Sequence, residues 1–124
     1  MLAVGLDVVG IARIRAVLGR RGERFLQRVL TPDEQAYCRS HRDPAPSVAA
    51  RWAAKEAVMK ALGTGHAQGV DFLHIEVVRD AAGAPQARLY DAAQRRFAAL
   101  GGKSLLLSIT HADGIAAAVA VIGG

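Results

Sequence analysis

Arg51-Trp52-Ala53-Ala54-Lys55-Glu56-Ala57-Val58-Met59-Lys60-Ala61-Leu62-Gly63-Thr64-Gly65 is the stretch on which the reading of the fold turns. It predicts the body of a long central helix that Ser47 can cap and that Gly63 ends, because a hydroxyl satisfies the first free amides and glycine tolerates the left-handed exit. Trp52, Glu56 and Lys60 recur every fourth residue, so an aromatic ring, an acid and a base project from nearly one face. Spacing of that kind also describes an ordinary surface ion pair beside a core tryptophan.

Working outward, the polar, proline-punctuated loop His41 to Pro46 precedes this helix. Before it, Thr31-Pro32-Asp33-Glu34 predicts another helix start, with Thr31 as cap and Glu34 at the reciprocal position, running through about Tyr37. Residues 2–9 form an apolar run suited to a buried strand. Ile11, Ile14 and Leu18 then predict a helix stopped at Gly19, and Phe25 and Val29 a second short one. On the other side, Phe72–Arg79 and Gln86–Tyr90 predict a hairpin, and Asp91 caps a helix to Leu100 that Gly101-Gly102 closes. Ser104–His111 and Ile115–Ile122 predict a second hairpin across Asp113-Gly114. Strand, helices, hairpin, helix, hairpin is the order of an α+β single small domain with mostly antiparallel strands.

At 124 residues, 52% of them apolar, the chain (residues 1–124) is expected to form one domain. A domain this small leaves apolar surface uncovered, which favours an oligomer. The lone Cys38 cannot form an internal disulfide and reads as a small buried hydrophobe. No basic leader and no membrane-length apolar run is present, so a cytoplasmic location without membrane association is expected. The net charge is +5, and residues 1–30 hold six arginines against Asp7 and Glu23, a local balance of +4.

Asp7 stands inside an apolar strand, where a carboxylate must be paired, hydrogen-bonded or bound to a cation. Magnesium needs only a few carboxylate oxygens, so Asp7 with Glu56 would suffice, while a partner among Lys55, Lys60 and the arginines would serve equally. Gly63-Thr64-Gly65 would let backbone amides approach a phosphate, or would simply be a helix exit. His111 ends the strand from Leu105 and would meet a phosphate or cap an edge. His41, His66 and His74 show no metal-ligand spacing.

These residues resemble the short bacterial phosphopantetheinyl transferases, the holo-acyl-carrier-protein synthase family, from Gly5 to the C-terminus. The likeness lies in Gly5-Leu6-Asp7, in Phe25 to Thr31-Pro32, in the whole of Arg51 to Gly65, in Asp71 to Glu76 and in Ser108-Ile109-Thr110-His111. It implies the phosphopantetheinyl transferase fold and a homotrimer with active sites between subunits. It further implies binding of coenzyme A and Mg2+ and modification of an acyl carrier protein serine, for fatty acid biosynthesis. By motif match Asp7 and Glu56 would be metal ligands, Lys60 would contact the transferred phosphate, and Gly63, Thr64 and Gly65 would form the cofactor loop. His111 would lie near the coenzyme phosphates. Glu56, lying in the same cluster, is the choice for general base, directly or through a metal-ordered water. Arg13, Arg20 and Arg24 would meet the acidic carrier protein. Many relatives carry an acid near position 10, where this chain has Gly10.

A nucleic-acid-binding protein is the competing reading of the basic charge. Six aromatic residues offer few stacking platforms, however, and Asp7 would repel phosphodiesters unless a metal intervened. A non-catalytic adaptor would use the arginines but leave Asp7 and Glu56 unexplained. The residues therefore point to a transferase that acts on no nucleic acid.

Overall fold

The computed structural model describes residues 2–124. β1 (Ala3–Gly10) leads directly into α1 (Ile11–Val29), followed by α2 (Pro32–Arg39) and α3 (Ala45–Leu62). A single 3-10 turn, Phe72–His74, opens β2 (Ile75–Arg79), which pairs with β3 (Pro85–Leu89). Then come α4 (Asp91–Ala99), β4 (Ser104–Ala112) and β5 (Ile115–Gly123). Every strand pair is antiparallel, in two sheets: β1-β5-β4 and β2-β3.

α3 is buried nearly all round because it lies between the three-stranded sheet and the other helices. Small residues permit the close approach. Ala116, Ala118 and Ala120 of β5 face the helix, fully or almost fully buried. Gly5 of β1 sits so near that a Cβ there would lie 1.9 Å from the Ala57 carbonyl oxygen. Only glycine fits at that contact, and the alternation of the strand then puts Asp7 on the same α3-facing side.

The opposite face of this sheet carries Val4, Leu6 and Val8 of β1 and Leu106 of β4, each more than half exposed. A strand read as buried is therefore covered on one face only in the monomer.

Several local expectations are corrected. The two helices expected in the first helical region form as two segments of α1 that meet at a kink, but the break falls at Arg21 (φ −141°, ψ 32°) rather than at Gly19. α3 begins at Ala45 behind Pro44, ahead of Ser47, because the Asp43 carboxylate accepts from the Ala45 amide. The strand expected from Phe72 starts at Ile75, since His74 N–H closes a turn onto the Asp71 carbonyl. Tyr90, not Asp91, occupies the cap of α4, and Asp91 takes a left-handed φ of 51°. The Thr31–Glu34 capping box and the left-handed Asp113-Gly114 turn form as expected.

Candidate active site

Lys60 is the hinge of the site. Its Nζ donates to the Leu6 carbonyl at 2.9 Å and to Asp7 Oδ1 at 3.1 Å, tying the end of α3 to the middle of β1. Of the partners open to Asp7, Lys60 is the one realised. Two of its three ammonium hydrogens are used, and its side chain is 52% exposed, so the third faces solvent. Asp7 is only 15% exposed, which makes it a carboxylate at the rim of the core, neither lost in it nor free of it.

Glu56 stands one turn before Lys60 on the same face of α3. Its Oε1 accepts from His66 Nε2 at 2.9 Å. The His66 ring meets Phe72 edge-on (centroids 4.9 Å, 60°), and Phe72 lies 4.8 Å from Trp52, which stacks on Phe25. The loop after α3 is thus folded back along the Trp52–Glu56–Lys60 face. Residue spacing concealed the role of His66, because its partner is ten positions away across a glycine loop.

Gly63, Thr64 and Gly65 close α3. Gly63 has φ 74°, its amide donates to Lys60, and the amides of Thr64 and Gly65 both reach the Met59 carbonyl. Of the two readings open for this loop, the helix exit is the one its own hydrogen bonds form. Arg96 Nε adds a donor to the Leu62 carbonyl at 2.9 Å. His111 lies on β4, two strands from Asp7 and exposed, and its side chain makes no hydrogen bond or ion pair among the described residues. Lys60 and Asp7 are therefore joined within one chain, Glu56 stands one helical turn away, and His111 is not joined to them.

Lys55, the other lysine of the central stretch, is fully buried beneath this surface. Its Nζ donates to Glu34 Oε1 and the Val29 carbonyl at 2.6 Å and to the Phe72 carbonyl at 3.2 Å. Glu34 also accepts from the amides of Thr31 and Val77, and the Thr31 hydroxyl donates to Glu76. Burial lowers the Lys55 pKa, and the facing Glu34 charge opposes that shift. This network fastens α1, α2 and the 3-10 turn to α3, and so holds the aromatic wall in place.

Beside that wall is an open cavity of about 520 Å³ lined by Phe25, Arg28, Trp52, His66, Asp71 and Phe72 among others. Phe25 and Arg28 also line a second hollow of about 270 Å³, together with Val17, Arg20, Arg21 and Arg24. Arg15 is engaged elsewhere, with Asp43 at 2.6 Å, and its hydrogen bond holds the Asp43 carboxyl below the usual carboxylate range. Arg13, Arg20 and Arg24 form no ion pair among the described residues.

As to a metal, the donor chemistry fits magnesium. Asp7 and Glu56 each offer one oxygen that accepts no hydrogen bond among the described residues. No cluster of three or more His, Cys, Asp or Glu side chains suited to a metal occurs among those residues.

The chain is thus an α+β domain in which Lys60 joins Asp7 where the glycine-bearing β1 packs on α3, with Glu56 one turn away. The model of the 4'-phosphopantetheinyl transferase superfamily matches residues 3–120. Among curated proteins, the holo-[acyl-carrier-protein] synthase of Solidesulfovibrio magneticus is 49% identical over 121 residues, covering 98% of this chain and 97% of that one. That of Protochlamydia amoebophila is 44% identical over 120 residues, covering 97% and 96%. The crystal structure of the Neisseria meningitidis enzyme superposes with a TM-score of 0.92 at 31% identity, covering 100% of this chain and 99% of that one. The Helicobacter pylori enzyme in complex with coenzyme A superposes at 0.85 with 35% identity, covering 97% and 99%. The chain belongs to the holo-[acyl-carrier-protein] synthase family.

Proposed function

We propose that this protein transfers the 4'-phosphopantetheine group of coenzyme A to a serine of apo acyl carrier protein, releasing 3',5'-ADP. The observation that carries the reading is the Lys60–Asp7 contact at 3.1 Å with Glu56 one turn away, an acid–base cluster at the edge of an apolar core. In the reaction the serine Oγ bonds to the β-phosphorus as the bond from that phosphorus to the bridging oxygen breaks. Lys60 keeps one N–H for a phosphate oxygen and offsets the negative charge that grows there. Glu56 is the acceptor we assign for the serine proton, directly or through a water. Asp7 and Glu56 would hold Mg2+, which supplies charge neutralisation at the phosphates. Gly63, Thr64, Gly65 and His111 are assigned to coenzyme A by their place in the family motif. Incubation with apo carrier protein, coenzyme A and Mg2+ should add one phosphopantetheine mass to the carrier. No increment under any metal condition overturns the reading.

We place the working enzyme in the cytoplasm as a homotrimer. No helix among the described residues is long and apolar enough to cross a membrane. The assembly is supported by the outer sheet face, where Leu6 is 60% and Leu106 65% exposed beside Val4 and Val8. A second and third copy would cover that apolar surface. Sedimentation should give one trimeric species, and Val4→Asp with Leu6→Asp should dissociate it and lower activity together. A fully active monomer at assay concentration would be incompatible with interfacial sites.

The arginine hollow on α1 is where we seat the acidic carrier protein. Arg13, Arg20 and Arg24 are exposed and free of ion pairs among the described residues, whereas Arg15 is engaged by Asp43. Changing Arg13 and Arg20 to Glu should raise KM for the carrier by on the order of tenfold or more, because like charges slow encounter and weaken docking. KM for coenzyme A should stay near wild type, and added salt should narrow the gap. The opposite pattern would reassign α1 to the coenzyme.

A further inference from the structure

His66 is bound to the site without belonging to any motif that defines it. A carboxylate oxygen only accepts, so the hydrogen in the 2.9 Å contact with Glu56 Oε1 belongs to His66 Nε2. The ring is held from the other side by the edge contact with Phe72, itself packed on Trp52. Backbone geometry adds to this. Gly63 (φ 74°) and Gly65 (φ 53°) turn the chain sharply enough to bring residue 66 back over the helix turn carrying Glu56.

We infer that His66 is a positioning residue for Glu56: its N–H occupies Oε1, fixes the carboxylate's rotamer and leaves Oε2 for the divalent ion. This rests on the reading of Glu56 as a metal ligand. A glutamate side chain has three rotatable bonds, and holding it in one arrangement before the ion arrives removes an ordering cost from binding. Partners that orient a ligand in this way are worth roughly tenfold to a hundredfold in metal affinity. His66 also lines the 520 Å³ cavity, so it meets whatever substrate group enters there while keeping its Nε2 committed to Glu56. It touches no reacting atom itself and acts only through the carboxylate.

Three variants separate the hydrogen bond from the packing. His66→Phe keeps an aromatic edge against Phe72 but has no N–H, His66→Ala loses both, and His66→Gln retains an N–H without the ring. Mn2+ is titrated into each protein with coenzyme A present, and bound ion is read from loss of the free-ion EPR signal. His66→Phe and His66→Ala should both weaken Mn2+ binding about tenfold, and His66→Gln should restore most of it. The Mg2+ concentration for half-maximal rate should rise in step, with melting temperatures little changed. Glu56→Gln serves as the control for the underlying reading. If Glu56→Gln loses Mn2+ while His66→Phe binds it as wild type does, the positioning role is wrong and the metal assignment stands. If Glu56→Gln binds Mn2+ undiminished, the metal assignment fails and the inference fails with it.

Discussion

Asp7→Asn and Glu56→Gln are each expected to lower kcat by on the order of a thousandfold, the scale lost when one preorganised electrostatic group is taken from a reacting centre. Neither change should unfold the protein. Asp7 meets Lys60 at a half-exposed ammonium, and pairs of that kind contribute at most about 1 kcal/mol. Glutamine at position 56 still offers an oxygen to His66, so the loop after α3 keeps its anchor. Loss of rate with a near-normal melting curve is therefore the signature of a functional pair. On the proposed trimer with sites between subunits, mixing the two variants should recover part of the activity if Asp7 and Glu56 of one site come from different protomers. In a single chain Lys60 joins Asp7 to the helix that carries Glu56, so absence of rescue would place both acids of a site on one protomer. Turnover within a fewfold of wild type in either single variant would remove that acid from the site.

Lys55→Met should instead destabilise the fold by about 3–5 kcal/mol, the cost of leaving a buried charge without its partner. Glu34 would keep the amides of Thr31 and Val77 but lose the cation 2.6 Å from Oε1. For a domain of this size the melting temperature should fall by on the order of 15 °C. Adding Glu34→Gln to Lys55→Met should recover part of the loss, because it removes the buried charge, although the single amide oxygen can keep only one of the two backbone hydrogens that the carboxylate accepts at Oε1 and Oε2. A melting temperature within a few degrees of wild type in Lys55→Met alone would show that the network contributes little. Activity should fall in parallel with folded fraction, in contrast to the acid variants.

Neighbouring lysines in one helix thus have opposite fates, and local sequence could not assign them. Lys55 and Lys60 were both candidate partners for Asp7, and their types are identical. What separates them is the direction each side chain leaves α3. Lys55 enters the space closed by α1, α2 and the 3-10 turn, where Glu34 awaits it; Lys60 leaves toward β1.

Element order, the antiparallel pairing and the capping box at Thr31 follow from the chain alone, because periodicity, caps and turn residues act over a few positions, whereas the roles proposed for Asp7, Glu56 and Lys60 rest on motif resemblance. The helix starting points at Ala45 and Asp91 were set by Asp43 and by a left-handed φ that local pattern does not reveal. Tertiary structure alone decided that Glu56 is held by His66, that the amides of Gly63, Thr64 and Gly65 turn back onto α3, and that one sheet face stays uncovered. The physical reason is shared by all three. Each depends on which side chain or surface occupies the space beside a residue, and that is settled by how α3 packs against the sheet, where Gly5 lets β1 come into contact with Ala57.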